Sequence, residues 1–407
     1  MRLPDAFHLV LLFVAAFLMD LIMRAGGQAY QEGGIAFHAT ALQLGLLGAV
    51  SAFCYSVTCP VAGAASDRFG RRLSTCVAGL GLMLTYLLAS RARSVQHLMG
   101  LTVLSGTSAA FFWPATQAWI ADLGGRGRQA LGRNLGQFNI VWSTGLTMGP
   151  VVTGYLWAFG RASGRGQQIA FVTIAALALG LLGLMLAIRR QGSAAGDNSE
   201  DQDDTPHPST PVYLRAAWVG VFAGWFGGGI VASLFPKLGE HLGYDERLRG
   251  LLCSSYHVGQ LAMFTLTRFS LRWQYRRWPI VAAELGGAAA LASIPFARGP
   301  AMFAATFFVT GLAAAAPYAA SLFYSLHGRT RGQGLRTGIH EAILASGVFL
   351  GPLLGGYLAQ HLSLRAPFVL AAGVLVVAVA VQMVIWSKGT RWPQKASGDD
   401  GQNDGRG

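Results

Sequence analysis

Charge is what this chain has least of. Only 12% of its 407 residues are Asp, Glu, Lys or Arg, about half the share usual in soluble domains, which leaves too few ionic groups to clothe a water-facing surface of this size. Cysteine is scarce as well: Cys54, Cys59, Cys76 and Cys253 form no C-x-x-C pair, so neither a disulfide framework nor a zinc site is indicated, and small apolar packing residues are what they are expected to be. No G-x4-G-K-[ST] loop is present to hold ATP. Neither H-E-x-x-H nor G-x-S-x-G occurs to support a membrane-embedded enzyme. Catalytic residues, metals and cofactors are therefore not expected.

Apolar residues are there in excess, at 53% of the chain, with a mean hydropathy of +0.43. A membrane-spanning helix needs about 20 largely apolar residues. Twelve such stretches fall near 7–29, 41–64, 73–90, 96–121, 135–158, 168–188, 213–235, 249–270, 279–297, 299–326, 338–360 and 366–386. The expected fold is an all-α integral membrane protein. The net charge of +13 invites a nucleic-acid reading, but the bases sort by topology. With residue 1 in the cytoplasm, 21 of the 31 Lys and Arg lie in inside segments and 9 in outside loops, with Arg24 left within a span. That is the positive-inside pattern of a cytoplasmic (inner) membrane protein with both termini cytoplasmic, its bases facing anionic lipid. Arg2 and the small residues Ala25, Gly26 and Gly27 give the first run some likeness to a signal peptide, but Asp20 and Arg24 interrupt it where a cleavable segment is clean.

The chain divides as 1–190, a first six-helix half; 191–211, an acidic linker with five acids and three prolines; 212–388, a second six-helix half; and 389–407, a polar tail. Linker and tail read as solvated cytoplasmic spacers, with Trp386 and Trp392 as interfacial anchors. The halves repeat one another. Gly145-x3-Gly149-Pro150-x3-Gly154 recurs 202 residues later as Gly347-x3-Gly351-Pro352-x3-Gly356. Pro114 with Pro317, Arg126-x-Arg128 with Arg329-x-Arg331, and Arg133 with Arg336 keep nearly the same offset. A half-length repeat buried in hydrocarbon is how many secondary transporters are built. Glycines four apart let helices approach closely, and the proline removes a backbone donor.

Between the second and third stretches runs Gly63-Ala-Ala-Ser-Asp67-Arg68-Phe-Gly70-Arg71-Arg72. A loop this short must turn tightly, which Gly70 permits, while the arginines can grip carboxylates or carbonyl ends. This stretch is similar to the signature G-x3-D-[RK]-x-G-[RK]-[RK] of the major facilitator superfamily, at every fixed position, and the twelve-span repeat extends the resemblance over nearly the whole chain. The resemblance implies transport by alternating access, with Gly63, Asp67, Arg68, Gly70, Arg71 and Arg72 in a cytoplasmic gate beside the start of the eleventh span. The second-half copy, Arg268 to Arg277, keeps the bases but lacks the acid and the glycine. The first Gly-x3-Gly-Pro copy resembles the fifth-span motif of the proton-coupled antiporter branch. Two departures stand against that: the element also sits on the eleventh span, and Thr102 replaces the arginine expected on the fourth.

Charges within spans are the candidates for energy coupling, since each costs roughly 2.5–3.5 kcal/mol at a helix centre on insertion scales. Asp20 and Arg24 lie one turn apart on one face of the first span. They are either a self-satisfying ion pair or a protonation site tuned by an arginine. His257 is a further proton-relay candidate, beside Gln260 and Tyr256 on the eighth span. Glu341, next to His340, falls in the first turns of the eleventh span, where Arg71 or Arg72 is its expected partner in the gate. Glu284 is expected to snorkel towards Arg276 and Arg277. The substrate-cavity candidates are Phe112, Trp113, Asn139, Trp142, Trp225, Gln260 and Tyr318, a set that suits an amphipathic or aromatic solute better than a sugar. The expected partners are a small-molecule substrate, protons and the lipid bilayer, without nucleic acid, for a monomer. Proton-coupled export heads the functional readings. A symporter or uniporter that imports a metabolite, and a sensor or assembly protein that kept the fold but not transport, stand as alternatives.

Overall fold

The computed structural model describes residues 3–123, 128–188, 208–270, 272–326 and 333–389. Residues 191–207 of the linker, the 390–407 tail with Trp392, and the side chains of Arg126, Arg128, Arg133, Arg329, Arg331 and Arg336 lie outside the described residues. The first half is built from α1 (Leu3–Ala36), α2 (Ala41–Phe69), α3 (Arg71–Ala89), α4 (Val95–Ala110), α5 (Trp113–Leu123), α6 (Arg128–Arg161) and α7 (Gly166–Ala187). The second half comprises α8 (Thr210–His241), α9 (Glu246–Phe269), α10 (Trp278–Ala292), α11 (Pro300–Leu326), α12 (Gln333–His361) and α13 (Ala366–Gly389). Among the described residues, ten spans are long and apolar enough to cross a membrane, with α4 and α5 together making one of them. The polar residues of α6 and α9, among them Asn139, Thr147, His257 and Gln260, keep those two off that criterion, and they complete the twelve.

Helix ends follow local chemistry. Thr40 and Gln43 make a reciprocal capping box at the start of α2, and Ser94 and Asp245 cap α4 and α9 through their side-chain oxygens. Gly70, at φ +97°, is the single residue between α2 and α3, a conformation L side chains rarely adopt. The fourth span is not one helix. Pro114 has no N–H to offer the Ala110 carbonyl, and the chain turns at Phe111 and Phe112 before restarting as α5. Cys59 Sγ lies 4.0 Å from the Ala110 carbonyl oxygen and Ser74 Oγ donates to that of Phe111 at 2.7 Å, so the freed carbonyls are met by neighbouring helices. Cys54, Cys59, Cys76 and Cys253 are all free thiols.

The doubled glycine–proline element explains how the halves meet. A side chain at Gly145 or Gly149 would strike the backbone of α1 at Phe17 or Ala25, and one at Gly347 or Gly351 would strike that of α8 at Phe222 or Phe226. Each element thus packs on the first helix of its own half. Its far end crosses to the other half: the Pro150 carbonyl lies against Gly250 and Gly154 against Glu246 of α9, while the Pro352 carbonyl lies against Gly45 and Gly356 against α2. The two inter-half seams, α6 on α9 and α2 on α12, are therefore the same joint used twice. Close backbone approach of this kind is where a membrane bundle gains van der Waals packing without a hydrophobic drive.

Two expectations for single residues change here, and the gate loop can be placed. Glu284 does not snorkel: it is fully buried, with Gln382 Nε2 donating to Oε1 at 2.9 Å, because its face of α10 turns towards α8 and α13 rather than lipid. Trp386 is buried at 3% exposure against Ala216 and Val281, a packing residue rather than an interfacial anchor. The gate-loop residues Asp67 and Arg68 are exposed, and Arg72 is held within its own half, donating to the Met185 carbonyl at 3.3 Å and to that of Leu186 at the end of α7.

Candidate functional site: a central cavity and a sealed end

A cavity of about 210 Å³ lies between the halves, lined from α1, α2, α4, α5 and α6 on one side and α8, α11 and α12 on the other. Its aromatic wall is Trp142, Trp225 and Tyr318, with ring centroids 5.3 Å apart for Trp142 and Tyr318 and 6.0 Å for Trp225 and Tyr318. Trp113 lines the cavity from the start of α5. The Arg24 guanidinium stands 5.8 Å from the Trp225 ring, a cation–π arrangement.

Two carboxylates face this wall. Asp20 is 7% exposed and, among the described residues, has neither a hydrogen-bond nor an ion-pair partner. Arg24, one turn along, is within 4.0 Å of neither of its oxygens, so the two do not form an ion pair in this structure. Glu341 is anchored, accepting from Gln117 Nε2 at 2.9 Å and from Tyr55 Oη at 3.2 Å. Neither Arg71 nor Arg72 is its partner. The reason is length: α12 begins at Gln333, about two turns before Glu341, so this acid lies in the cavity and not at the helix mouth.

Of the other candidates, Phe112 is fully buried in the first-half core with its ring edge on Trp113. Asn139 accepts from Trp142 Nε1 at 3.0 Å and positions that indole from behind. Gln260 accepts from His257 Nδ1 at 2.8 Å, an intrahelical bond that leaves His257 Nε2 with its lone pair. His257 opens on a second chamber, of about 30 Å³, that shares Arg24, Gly27 and Ala232 with the central cavity.

Sequence reasoning passed over the residues that close one end of the bundle. At the end opposite the α2–α3 turn, Glu32 of α1 and Arg249 of α9 form a two-pronged ion pair across the halves, Nε to Oε1 at 3.2 Å and Nη2 to Oε2, with exposures of 1% and 6%. Gln28 Nε2 steadies Glu32 Oε1 at 2.9 Å, and Arg161 pairs with Glu246 across the α6–α9 seam. A usable signal existed: Asp20, Arg24, Gln28 and Glu32 recur every four residues along one face of α1.

Two similar six-helix halves around a central, aromatic and acidic cavity define a transporter that moves solute between its halves. The comparisons agree. The model of the Major Facilitator Superfamily matches residues 10–266 and 217–402. The chain belongs to that family, and it is a multi-pass membrane transporter of small molecules rather than an enzyme. It is 25% identical to the multidrug resistance protein 2 of Bacillus subtilis (strain 168), over 85% of this chain and 87% of that protein. It is 26% identical to the quinolone resistance protein NorA of Staphylococcus aureus over 29% of this chain and 30% of that one. In fold it is similar to a bacterial homologue of the human lysosomal transporter Spinster in an inward-facing, unoccupied conformation, with a TM-score of 0.74 and 16% identity over 97% of this chain and 100% of that one. It is also similar to the human organic anion transporter MFSD10, with a TM-score of 0.63 and 17% identity over 94% and 100%.

Proposed function

We propose that the protein exports amphipathic aromatic cations across the cytoplasmic membrane in exchange for protons, as a monomer with both termini in the cytoplasm. The observation that carries this reading is the pairing, in one cavity, of an unpartnered buried carboxylate with a wall of indole and phenol rings. Ring faces attract organic cations and offer flat apolar area of many shapes. Asp20 is the carboxylate there that has no hydrogen-bond or ion-pair partner among the described residues, so a cationic substrate and a proton compete for it. That competition is antiport: whichever occupies Asp20 excludes the other. Glu341, fixed by Tyr55 and Gln117, keeps a second acid at the wall whose geometry does not depend on the occupant. The names of the multidrug and quinolone resistance relatives are consistent with such a substrate range. The membrane orientation rests on the 21 inside against 9 outside bases, which puts the Glu32–Arg249 seam on the outer face.

The test uses purified protein in liposomes, in the orientation that brings the cytoplasmic face outward, with an acid lumen. Ethidium should accumulate, a sugar of similar mass should not, and collapse of the pH gradient should release the ethidium. Accumulation that survives this collapse would remove the proton from the mechanism.

A further inference from the structure

The small chamber behind the cavity wall is large enough, and polar enough on one side, to hold water. Its volume of about 30 Å³ is above the minimum that an ordered water needs. Its polar lining suits one as well. Arg24 brings N–H donors that make no hydrogen bond to any described residue. Gln28 commits its Nε2 to Glu32, leaving the amide oxygen as an acceptor. His257 commits Nδ1 to Gln260, leaving Nε2 as an acceptor, and both side chains are 3% exposed. A water placed here could accept from Arg24 and donate to Gln28 and His257, within the two to four partners that a buried water requires.

We propose that this water ties Arg24 to Gln28, and through Gln28 to the Glu32–Arg249 pair, so that the charge on Asp20 sets whether the outer seam is shut. The inference rests on the export reading above. While Asp20 is protonated, nothing draws Arg24 away; it stays over Trp225 at the chamber, the water is fully bonded, and Gln28 is held where it donates to Glu32. When Asp20 ionises, the opposite charge one turn away pulls Arg24 to itself. The water then loses its donor, Gln28 is freed, and Glu32 keeps Arg249 with one bond fewer. A carrier with a proton on Asp20 therefore stays shut on the outside as it turns inward, and a deprotonated one can open outward. The titratable groups facing Asp20 are Arg24, Glu341 on α12 and Tyr318 on α11; those facing Arg24 from α9 are Cys253, Tyr256 and His257; those facing Glu32 are Arg249, Glu240 and Cys253. Among these, Asp20 is the acid without a partner. Gln28 and His257 are positioning residues in this scheme.

Spin labels at His38, in the α1–α2 turn, and at His241, at the end of α8, report the seam in the full-length protein in lipid. The short-distance population should grow about tenfold from alkaline to acid pH, the value of one charge-assisted hydrogen bond. Asp20→Asn should keep the short-distance population at its acid-pH level at every pH, with the minor open population still present. Gln28→Leu and His257→Leu should flatten the response, and two variants guard against one failing to fold. If both fold and keep the parental pH response, the chamber couples nothing and the inference is overturned. Ethidium transport measured on the same preparations separates the two ideas. A pH-responsive seam without proton-driven ethidium transport sinks the export reading alone, and proton-driven transport with an unaltered Gln28→Leu response sinks this one alone.

Discussion

Asp20→Asn should abolish ethidium accumulation driven by a pH gradient while leaving exchange of ethidium for ethidium measurable. A gradient of about 2 pH units stores about 2.7 kcal/mol per proton, which in a one-for-one exchange supports accumulation of up to about 100-fold. The variant should fall to near equality across the membrane, because an amide has nearly the shape of the carboxylate but cannot take up and release a proton. Exchange survives, since the aromatic wall of Trp142, Trp225 and Tyr318 is untouched. Glu341→Gln provides the contrast. That acid is fixed by two donors, so its loss should weaken binding and leave coupling in place. The opposite ranking of the two variants would move the coupling site to α12.

Breaking the buried seam should be the most destabilising single change outside the backbone joints. Glu32→Gln leaves Arg249 at 6% exposure with, among the described residues, only Glu246, 3.9 Å away, to answer its charge. Removing one partner of a buried pair typically costs about 3–5 kcal/mol. The detergent-solubilised variant should melt well below the parent, and so should Arg249→Met. Replacing both at once, as Glu32→Leu with Arg249→Met, removes the stranded charge together with its mate, and such apolar replacement is often neutral or better. The double variant should melt close to the parent, a strongly non-additive cycle. Additive losses would show that the two side chains act independently.

The sequence shows the fold more plainly than it shows the site, for reasons visible in particular residues. Hydropathy runs and the repeated Gly145–Gly154 and Gly347–Gly356 elements require only counting along the chain, and they locate the spans and the two seams. The break at Phe111 and Phe112 was signalled by Pro114, but a composition window averages across it. Facing is what a linear chain conceals. Trp113, Trp142, Trp225 and Tyr318 line the cavity, whereas Phe112, Asn139 and Gln260 on the same helices or their neighbours turn behind it, a difference of a fraction of a helical turn. Glu341 was misplaced by the five residues between the expected start at 338 and Gln333, enough to carry it from the gate into the cavity. Glu32 and Arg249 lie 217 residues apart, near the ends of spans, where an arginine reads first as an orientation signal. Only the approach of α1 to α9 makes them a pair.

The central claim is that the cavity between the halves is the substrate site and is presented to each side of the membrane in turn. Single cysteines in place of Ser51 on α2 and Ala232 on α8, which line that cavity from opposite halves, test it directly. In oriented vesicles free of other reactive thiols, an impermeant maleimide should reach both positions from the cytoplasmic face and from the outer face, and saturating ethidium should slow labelling at both. Labelling confined to one face, or unaffected by ethidium, would contradict the account.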